Sequence, residues 1–549
     1  MSEQKKRLFN YRPMCFAALA LILGIIVGES MFGAGVLFRL IPILLALAAF
    51  IALLVFKKTR KFAYLLLGFM IGFLGICGSN DVYAKNTRIG EYEGNITAKV
   101  SGEIIIEDEK TYFFVEDIYV DDQLLKYDAY VILNDDGEDI DYNAGDIVLL
   151  VGKLKANERK SFDSFHAYDV AKKEGFVIYA YYCEKLSEGR LHPLERIPYQ
   201  IKKSLYSVLD SDSAGICTAL VLGDKEGLDE NLYDDISSSG LAHVLAVSGL
   251  HITTLSTALF FILRKCKVNS KVALIIVFLI TLFYCFLCDF TASSLRALIM
   301  MTILNFATAF GKKRDTLSSI SFAAILILLF RPTALFESGF LMSFSAVLGI
   351  VLFYGKFHET GMKLVSRISP KHNRVGRFVS DGVSLSLSAN LGTYPFVAYF
   401  FGKIPVLFML SNLIILPYLM FIYVFLLINV IFTLIFGWGG NLIMFRYLLY
   451  PFRAYVLAIG NLSFATVPVG ISVVGIIAFF IVMILLSRFI FLNWKQRAIA
   501  GAVVITIALV LSAIIGFVSA ARSDPYETEE RLISFFNNVR IKGRIALRL

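Results

Sequence analysis

Long apolar runs alternate with short basic connections along most of the chain. The runs are about 18–25 residues long, enough at ~1.5 Å per residue to cross a ~30 Å hydrocarbon core. A helix satisfies its own backbone hydrogen bonds in lipid, so each run is predicted to be a membrane-spanning α-helix. We predict a polytopic α-helical membrane protein with about thirteen transmembrane helices, at residues 13–27, 37–56, 62–79, 241–263, 272–288, 293–310, 316–330, 339–354, 379–400, 404–436, 442–459, 467–486 and 498–520.

One polar stretch, residues 80–190, interrupts this pattern. It contains 24 Asp and Glu against 13 Lys and Arg, a net charge of −11, whereas the whole chain carries +9. The basic connections 264–271, 312–314, 356–377 and 488–497 all fall on one side of the membrane if 404–436 is a single helix. The positive-inside rule makes that side cytoplasmic, and it places the acidic stretch outside.

The polar stretch is predicted to be β-structure. Runs rich in β-branched and aromatic residues lie at 95–106, 111–120, 128–133 and 146–154, separated by turn residues. About five strands in about a hundred residues fit a small barrel. We therefore expect an extracytoplasmic, all-β, OB-like insert.

These patterns divide the chain into five segments. Composition agrees: 57% hydrophobic residues, a mean hydropathy of +0.69 and 18% charged residues exclude a soluble single domain and a disordered chain. Within the connector, residues 197–222 are expected to lie on the membrane surface. The segments are N-terminal transmembrane helices (1–79), the β domain (80–190), an amphipathic connector (191–235), a second transmembrane block (236–520) and a short C-terminal tail (521–549).

Polar residues inside apolar segments are costly and mark a cavity, a partner or a path. Ser248, His251 and Thr254 are spaced to form one ridge on a helix, with His243 upstream. This ridge could line a pore, or it could hold helices together by hydrogen bonds.

Two further polar groups follow. Asp289, Ser293 and Arg296 share one face if their helix begins before Asp289. Arg296 then either snorkels outward or contacts a carboxylate or phosphate. Ser386, Asn390 and Thr393 form a stripe spaced i, i+4 and i+7 beside Gly392 and Pro395, and Asn412 and Pro417 lie in the next segment. This arrangement predicts broken helices around a polar cavity, or kinked structural helices.

We predict no catalytic activity, metal site or cofactor. The sequence has no nucleophile elbow, zincin motif or Walker motif. His243 and His251 have no carboxylate at a metal-ligand spacing. Cys285 and Cys288 are spaced CxxC within an apolar helix, which favours core packing.

Several motifs together carry a family resemblance. They are LVLGDK (220–225), GLAHVLAVSGLHI (240–252), SLRA (294–297), GFLMSFSAVLGI (339–350), LGTYP (391–395), FGKI (401–404) and SNLIILP (411–417). Over about 219–487 the chain resembles the ComEC competence-protein family, and VSGLH is the most specific motif. The outward β insert matches the family's OB-like domain in position and type.

The resemblance implies a DNA-uptake channel that passes one strand of transforming DNA across the bacterial inner membrane. The second transmembrane block would be the competence-type channel domain, with the polar residues above along the DNA path. Implied partners are single-stranded DNA, membrane lipids, a DNA receptor, a cytoplasmic DNA translocase and a separately encoded nuclease domain. The family's frequent metallo-β-lactamase-like domain and its HxHxDH motif are not expected here, and Leu341 replaces a usual Gln.

A DNA path needs a wet, polar-lined pore. A strand with a phosphate every ~3.4 Å would place about nine charges across a ~30 Å core. The net charge of the β domain opposes bulk DNA attraction, so a contact there needs a local basic patch beside aromatic residues. Lys153, Lys155, Arg159 and Lys160 are the candidates; otherwise the domain is a structural cap.

Two other functions stay open. The chain could be a membrane scaffold or degenerate family member that recruits uptake partners, or a small-solute transporter, although neither inverted repeats nor paired carboxylates are visible.

Overall fold

The computed structural model separates the chain into two compact units. Of the described residues, the smaller unit contains 394–404, 468–486, 501 and 504, and the larger contains those within 12–393 and 405–467. The structure describes residues 12–31, 36–55, 62–87, 91–107, 110–121, 123–134, 143–156, 174–189, 196–225, 227–309, 315–368, 374–462, 464–486, 501 and 504.

Three helices precede the β domain: α1 (Pro13–Ser30), α2 (Val36–Val55) and α3 (Ala63–Asn86). α1 and α3 cross closely because each presents a glycine to the other's backbone. A Cβ atom on Gly24 would overlap the carbonyl oxygen of Phe69, and one on Gly72 would overlap that of Leu21. Small residues at crossings let membrane helices approach each other in this way.

The acidic insert forms a small β-barrel-like domain. Its strands are β1 (Tyr92–Glu107), β2 (Lys110–Val120), β3 (Gln123–Leu124), β4 (Asp128–Leu133), β5 (Ile147–Ala156) and β6 (Glu174–Ser187). β1 pairs with β2 and β5, β5 with β6, β6 with β4, and β4 with β2, so five strands form a closed ring. Only the β4–β6 pairing is parallel among the described strands, and β3 extends β2 as a hairpin.

Buried and partly exposed side chains alternate along the strands, and the buried ones fill the ring. Along β2, Phe113 and Val115 are buried, whereas the intervening Tyr112 and Phe114 are partly exposed. This period of two is the consequence of side chains pointing to opposite faces of a strand. The apolar faces of the ring strands thereby meet in one core.

The second helical block begins after the barrel. Its helices are α4 (Arg196–Tyr206), α5 (Ser211–Leu222), α6 (Glu230–Ser238), α7 (Gly249–Lys265), α8 (Ser270–Leu287), α9 (Ala292–Ala309), α10 (Thr316–Phe330), α11 (Ser338–Ile368), α12 (Arg374–Phe401), α13 (Phe408–Phe436), α14 (Met444–Leu448), α15 (Tyr450–Gly460) and α16 (Val473–Leu486). Short strands β7 (Lys403–Pro405) and β8 (Thr466–Pro468) lie among them, with 3₁₀ turns at Ala242–Val244, Pro332–Phe336 and Gly440–Ile443.

Several of these helices could cross a membrane. Among the described residues, 6 helical segments are long and apolar enough to do so. They are Pro13–Ser30, Ala63–Asn86, Ser270–Leu287, Ser338–Arg367, Phe408–Phe436 and Gly440–Gly460, and shorter apolar helices accompany them. The protein is therefore mostly helical with multiple potential spans, as expected. The predicted span 498–520 lies largely outside the described residues.

Helix α5 is the centre of the largest core in the second block. Every residue from Ser213 to Leu222 is buried. A helix that is apolar and enclosed on all sides belongs inside a protein. The expectation that 197–222 lies on the membrane surface is therefore wrong for α5.

Both ends of α5 are held by side chains from other helices. At its N-terminus, Arg453 donates from Nη1 to Asp210 Oδ2 over 2.9 Å and also pairs with Asp212. At its C-terminus, the Tyr284 hydroxyl donates to the Val221 carbonyl oxygen over 2.7 Å. Tyr284 thereby supplies a partner to a terminal carbonyl that has none within the helix, while Arg453 pairs with the acidic residues at the start of α5.

The predicted helix breaks at two prolines are not found. Pro395 lies inside the continuous α12, and Pro417 lies inside the continuous α13. Helices in membranes tolerate proline where neighbouring groups satisfy the freed backbone atoms. Residues 404–436 consequently contain one long helix rather than a broken pair.

The smaller unit contains the end of α12 and the helix α16. Phe396 and Phe480 pack with ring centroids 5.5 Å apart. The Val469 amide donates to the Gly402 carbonyl over 2.9 Å. Gly402 has a φ of +64°, which favours glycine at this turn.

Candidate functional site

The most specific sequence motif, residues 240–252, has an irregular backbone. Gly240 has a φ of +80°, and a Cβ there would lie 2.8 Å from the Phe408 Cβ. A 3₁₀ turn follows, and helix α7 begins only at Gly249. The predicted continuous span from residue 241 is thus wrong. Its first part is irregular backbone with buried apolar side chains, which membrane proteins allow only inside protein or beside a cavity.

Ser248 and His251 form a cap at the start of α7. The Leu250 amide donates to Ser248 Oγ over 3.2 Å. In return, the Ser248 amide donates to His251 Nδ1 over 3.1 Å. Because Nδ1 accepts this hydrogen bond, a neutral His251 carries its proton on Nε2. The two residues therefore fix the N-terminus of the helix reciprocally.

His251 is also enclosed by aromatic packing. Its side chain is fully buried, and its ring lies edge-on to Tyr423 with centroids 4.6 Å apart. Nε2 has no hydrogen-bond partner among the described residues. The expected polar ridge is thus a buried cap at His251, followed by a partly exposed Thr254 one turn later.

Arg296 lies beside this cap. Its Nε donates to Ser343 Oγ over 2.7 Å, and Nη1 contacts the Met300 sulfur over 3.5 Å. Ser343 Oγ is in turn 3.1 Å from Ser293 Oγ. A Cβ on Gly249 would lie 2.7 Å from Nη2. Helices α9 and α11 therefore meet the N-terminus of α7 at one guanidinium.

This arrangement concentrates positive charge. Arg296 forms no ion pair within the part of the chain that the structure describes. A helix N-terminus carries roughly +0.5 of an elementary charge. A partly buried guanidinium and a helix N-terminus without a carboxylate between them form an environment that favours an anion.

A second polar contact joins α12 to α13. Asn412 Nδ2 donates to Ser386 Oγ over 2.9 Å. Asn412 Oδ1 is buried and has no hydrogen-bond partner among the described residues. Asn390 and Thr393 instead bond to carbonyls of their own helix. The structure therefore brings Asn412 into contact with the predicted stripe through Ser386.

The remaining predicted residues lie apart from these contacts. Helix α9 begins at Ala292, so Asp289 does not share its face; it occupies an exposed turn with a φ of +54°. His243 lies in the 3₁₀ turn, where Nδ1 is 3.1 Å from the Gly240 carbonyl oxygen. Among the described residues, no group of three or more His, Cys, Asp and Glu could hold a metal ion.

The predicted basic patch of the β domain is only partly described. Lys153 Nζ lies 3.3 Å from Glu93 Oε2, and Lys155 Nζ lies 2.8 Å from Glu91 Oε1. Both lysines are therefore paired with carboxylates of the domain. Arg159 and Lys160 lie outside the described residues.

Three contributors to the site are absent from the sequence-based prediction. Ser343 and Tyr423 come from distant helices, and Tyr284 binds the end of α5. Ser343 lies within the GFLMSFS motif, which is the one sequence signal that could have drawn attention to it. Tyr423 stands in an apolar run with no distinguishing pattern.

Comparison with known proteins decides the family. The model of the Competence protein family matches residues 220–497. The chain belongs to the Competence protein family. The matched region contains the α7 cap, Arg296, Ser343 and Asn412.

Two curated relatives match part of this family member. "ComE operon protein 3" of Bacillus subtilis (strain 168) is 27% identical over 215 residues, 39% of this chain and 26% of the relative. "Competence protein ComA" of Neisseria gonorrhoeae is 24% identical over 220 residues, 38% of this chain and 29% of the relative. The matched stretch thus spans less than a third of either relative. No solved structure matches.

Proposed function

We propose that this family member passes a single strand of transforming DNA across the bacterial inner membrane. The observation that carries the proposal is the Arg296 cluster. It combines a guanidinium without an ion-pair partner among the described residues, two hydroxyls and a helix N-terminus. Phosphate is the group that such an arrangement of donors binds. The names of the family and of both relatives support a role in competence.

Arg296 would act as a transient phosphate contact in a path that does not read sequence. A guanidinium has five N–H donors; Ser343 holds Nε and the Met300 sulfur contacts Nη1, which leaves the N–H groups of Nη2 for a phosphate. Hydroxyl and amide groups at Ser293, Thr254, Asn390, Thr393 and Asn412 would supply the rest of a wet lining. Ser248 and His251 cap the helix beside Arg296, and His243 and Asp289 would line the path at other points. Uncharged donors suit a translocated strand because they bind phosphate without trapping it.

The proposal includes a topology. It has about thirteen membrane spans, basic connections in the cytoplasm and the β domain outside. The five segments keep their boundaries at 79, 190, 235 and 520. The ring of five strands supports an OB-like barrel. Going around the ring, the strands follow in the order β1, β2, β4, β6 and β5. Greek-key rings of this size are typical of oligonucleotide-binding barrels.

The β domain would contact DNA through aromatic rings rather than lysines. Tyr112 and Tyr130 stack on the outside of β2 and β4, with centroids 6.0 Å apart, and Phe114 lies 4.9 Å from Tyr130. Tyr179, 44% exposed, continues this face on β6. Nucleobases stack on such platforms without regard to sequence, and stacking does not need a positive domain.

The proposed partners are single-stranded DNA, anionic and neutral membrane lipids, a DNA receptor outside the cell and a DNA translocase inside it. A separately encoded nuclease domain would hydrolyse the second strand, which is not taken up. None of these steps requires a cofactor or a catalytic residue of the described chain.

The experiment measures uptake of labelled DNA by a host strain whose own gene for this protein is deleted. The wild-type protein or one of its variants is then expressed in that strain. Arg296→Gln should lower transformation about 10–100-fold, the loss expected for one charge-assisted contact of about 1.5–3 kcal/mol. Arg296→Lys should retain part of the activity, because it keeps the charge but not the fork of donors.

Lys267→Gln is the matched control. It removes a positive charge in the turn between α7 and α8, away from the cluster. Immunoblots must show equal membrane levels of all variants. Normal transformation by the deletion strain would contradict the channel function, and equal effects of Arg296→Gln and Lys267→Gln would contradict the phosphate contact.

A further inference from the structure

Helices α11 and α12 are longer than a membrane requires. α11 has 31 residues and α12 has 28, whereas about 20 residues cross the hydrocarbon core. The apolar part of α11 ends near Tyr354, and half of residues 355–368 are polar or charged. The polar ends of the two helices therefore form a hairpin extension on the predicted cytoplasmic side.

The extension is packed along its length. His358 Nδ1 on α11 lies 2.8 Å from Asp381 Oδ1 on α12, and the Tyr354 hydroxyl donates to the same oxygen over 3.3 Å. Further out, a Cβ on Gly376 would lie 2.7 Å from Val365 Cγ1. Contacts at both levels make the extension a rigid pair of helices rather than a loose connection.

A row of cations lines the outer face of this extension. At 100° per residue, Lys363 and Arg367 project within about 20° of Lys356. His358 and Val365, which contact α12, lie on the opposite face. All three cations are exposed, and none has a side-chain partner in the described parts of the chain.

Helix α12 adds further positive charge and one aromatic ring. Arg374 and Arg377 are exposed near its start. Phe378 lies beside them and is 62% exposed. Arginines next to an exposed ring are the combination with which proteins hold single-stranded nucleic acid.

The height of the cations argues against lipid headgroups as their ligand. At ~1.5 Å per residue, Lys363 and Arg367 lie about 14 and 20 Å beyond Tyr354. The headgroup layer adds only about 5–8 Å on each side of the hydrocarbon core. Lys356 is within reach of that layer, whereas the other two extend past it.

We propose that the α11–α12 extension binds the phosphate backbone of a DNA strand as it leaves the membrane, with Lys356, Lys363 and Arg367 as the phosphate contacts. This inference rests on the proposed function. It assigns the exit side of the path to the extension, where Lys356 lies about 20 Å along α11 from Ser343 of the Arg296 cluster. Phe378 stacks a base while the neighbouring arginines neutralise the adjoining phosphates.

The test measures binding of fluorescent oligothymidylate to the full chain in neutral phosphatidylcholine nanodiscs across a salt series. The triple variant Lys356→Gln/Lys363→Gln/Arg367→Gln should bind more weakly. Its slope of log affinity against log salt should be shallower by about 2, since each lost contact to a single strand contributes about 0.7. Phe378→Leu should weaken binding with the slope unchanged.

The matched control is Lys265→Gln/Lys267→Gln/Lys271→Gln, which removes the same charge from the turn between α7 and α8 and the two helix ends beside it. Its slope should equal that of the wild type. An unchanged slope in the first triple variant, or an equal change in the control, would overturn the inference. Loss of wild-type DNA binding in phosphatidylglycerol nanodiscs to the level of the variant would assign the cations to lipid instead.

The two proposals fail in distinguishable ways. If the first triple variant binds DNA as the wild type does while Arg296→Gln lowers uptake as expected, only the exit site is wrong. If the deletion strain transforms normally, the proposed function is wrong whatever the extension binds.

Discussion

Arg296 Nε donates to Ser343 Oγ over 2.7 Å, and this hydrogen bond joins α9 to α11 beside the first turn of α7. The bond uses the inner nitrogen of the guanidinium. It therefore sets the direction of the outer nitrogens, one of which lies close to Gly249. In the proposed function Ser343 is a positioning residue that would act on a phosphate through Arg296.

Ser343→Ala should lower DNA uptake several-fold while leaving the protein in the membrane. The substitution removes the acceptor of a charged donor, a change that costs about 1–3 kcal/mol. Ser343→Thr keeps a hydroxyl and should restore most of the uptake. Ser366→Ala, on the exposed end of α11, is the control and should behave as wild type. Equal uptake by the Ala and Thr variants would show that the hydroxyl does not position Arg296.

Ser248→Ala should destabilise the chain by about 1 kcal/mol, because it removes the side-chain oxygen that accepts from the first turn of α7. Ser248→Asn should be close to wild type, since Asn caps helices as well as Ser does. The measurement is the thermal unfolding midpoint of the detergent-purified chain. Thr253→Ala, one turn into the same helix, serves as the control. Equal midpoints for the Ala and Asn variants would contradict the cap.

Gly349→Ala should destabilise the chain, whereas Gly355→Ala on the same helix should not. A Cβ on Gly349 would overlap the Ser388 carbonyl oxygen of α12, but one on Gly355 would meet nothing within 4 Å. Overpacking costs about 1–3 kcal/mol, while Gly to Ala at an open helical site gains up to about 1 kcal/mol. Unfolding midpoints that shift in the same direction for both variants would contradict the close crossing of α11 and α12.

Apolar periodicity predicts well where one physical rule decides the structure. Residues 316–330 and 128–133 are predicted and observed with the same bounds, as α10 and β4. In α10 the apolar side chains favour a helix, because a helix satisfies its own backbone hydrogen bonds in any apolar surroundings. In β4 the alternation of buried and exposed positions leaves one register.

The same rule fails where protein replaces lipid as the surrounding medium. Residues 241–248 are as apolar as a span, yet tertiary contacts satisfy their irregular backbone. The spacing of Asp289 from Ser293 and Arg296 predicts that the three share one helix face. In the structure Asp289 has a left-handed conformation and lies outside α9. Ser343 and Tyr423 reach the site only through packing between distant helices, which a single sequence does not encode locally.

Asp146 gives the β domain a pH-dependent contribution to stability. It is buried at the start of β5, where Lys185 Nζ lies 3.0 Å away and the amide of Asn143 donates over 2.9 Å. Burial acts to raise the pKa of Asp146, but the hydrogen bonds from Asn143, Lys185 and Gly189 outweigh burial and lower it. The ionised carboxylate is therefore the form that the folded domain favours.

Asp146→Asn should make the β domain easier to digest at neutral pH, with a loss of about 1–3 kcal/mol. Because the folded pKa lies below the unfolded value of about 3.9, the stabilisation is complete above that value. It disappears as pH falls through the folded pKa, so the wild type and the variant should converge in that acid range. The measurement is digestion of the full chain by an acid-tolerant protease, with the exposed Asp117→Asn as control. A difference between wild type and variant that stayed constant down to the lowest pH would show that the charge of Asp146 does not stabilise the domain.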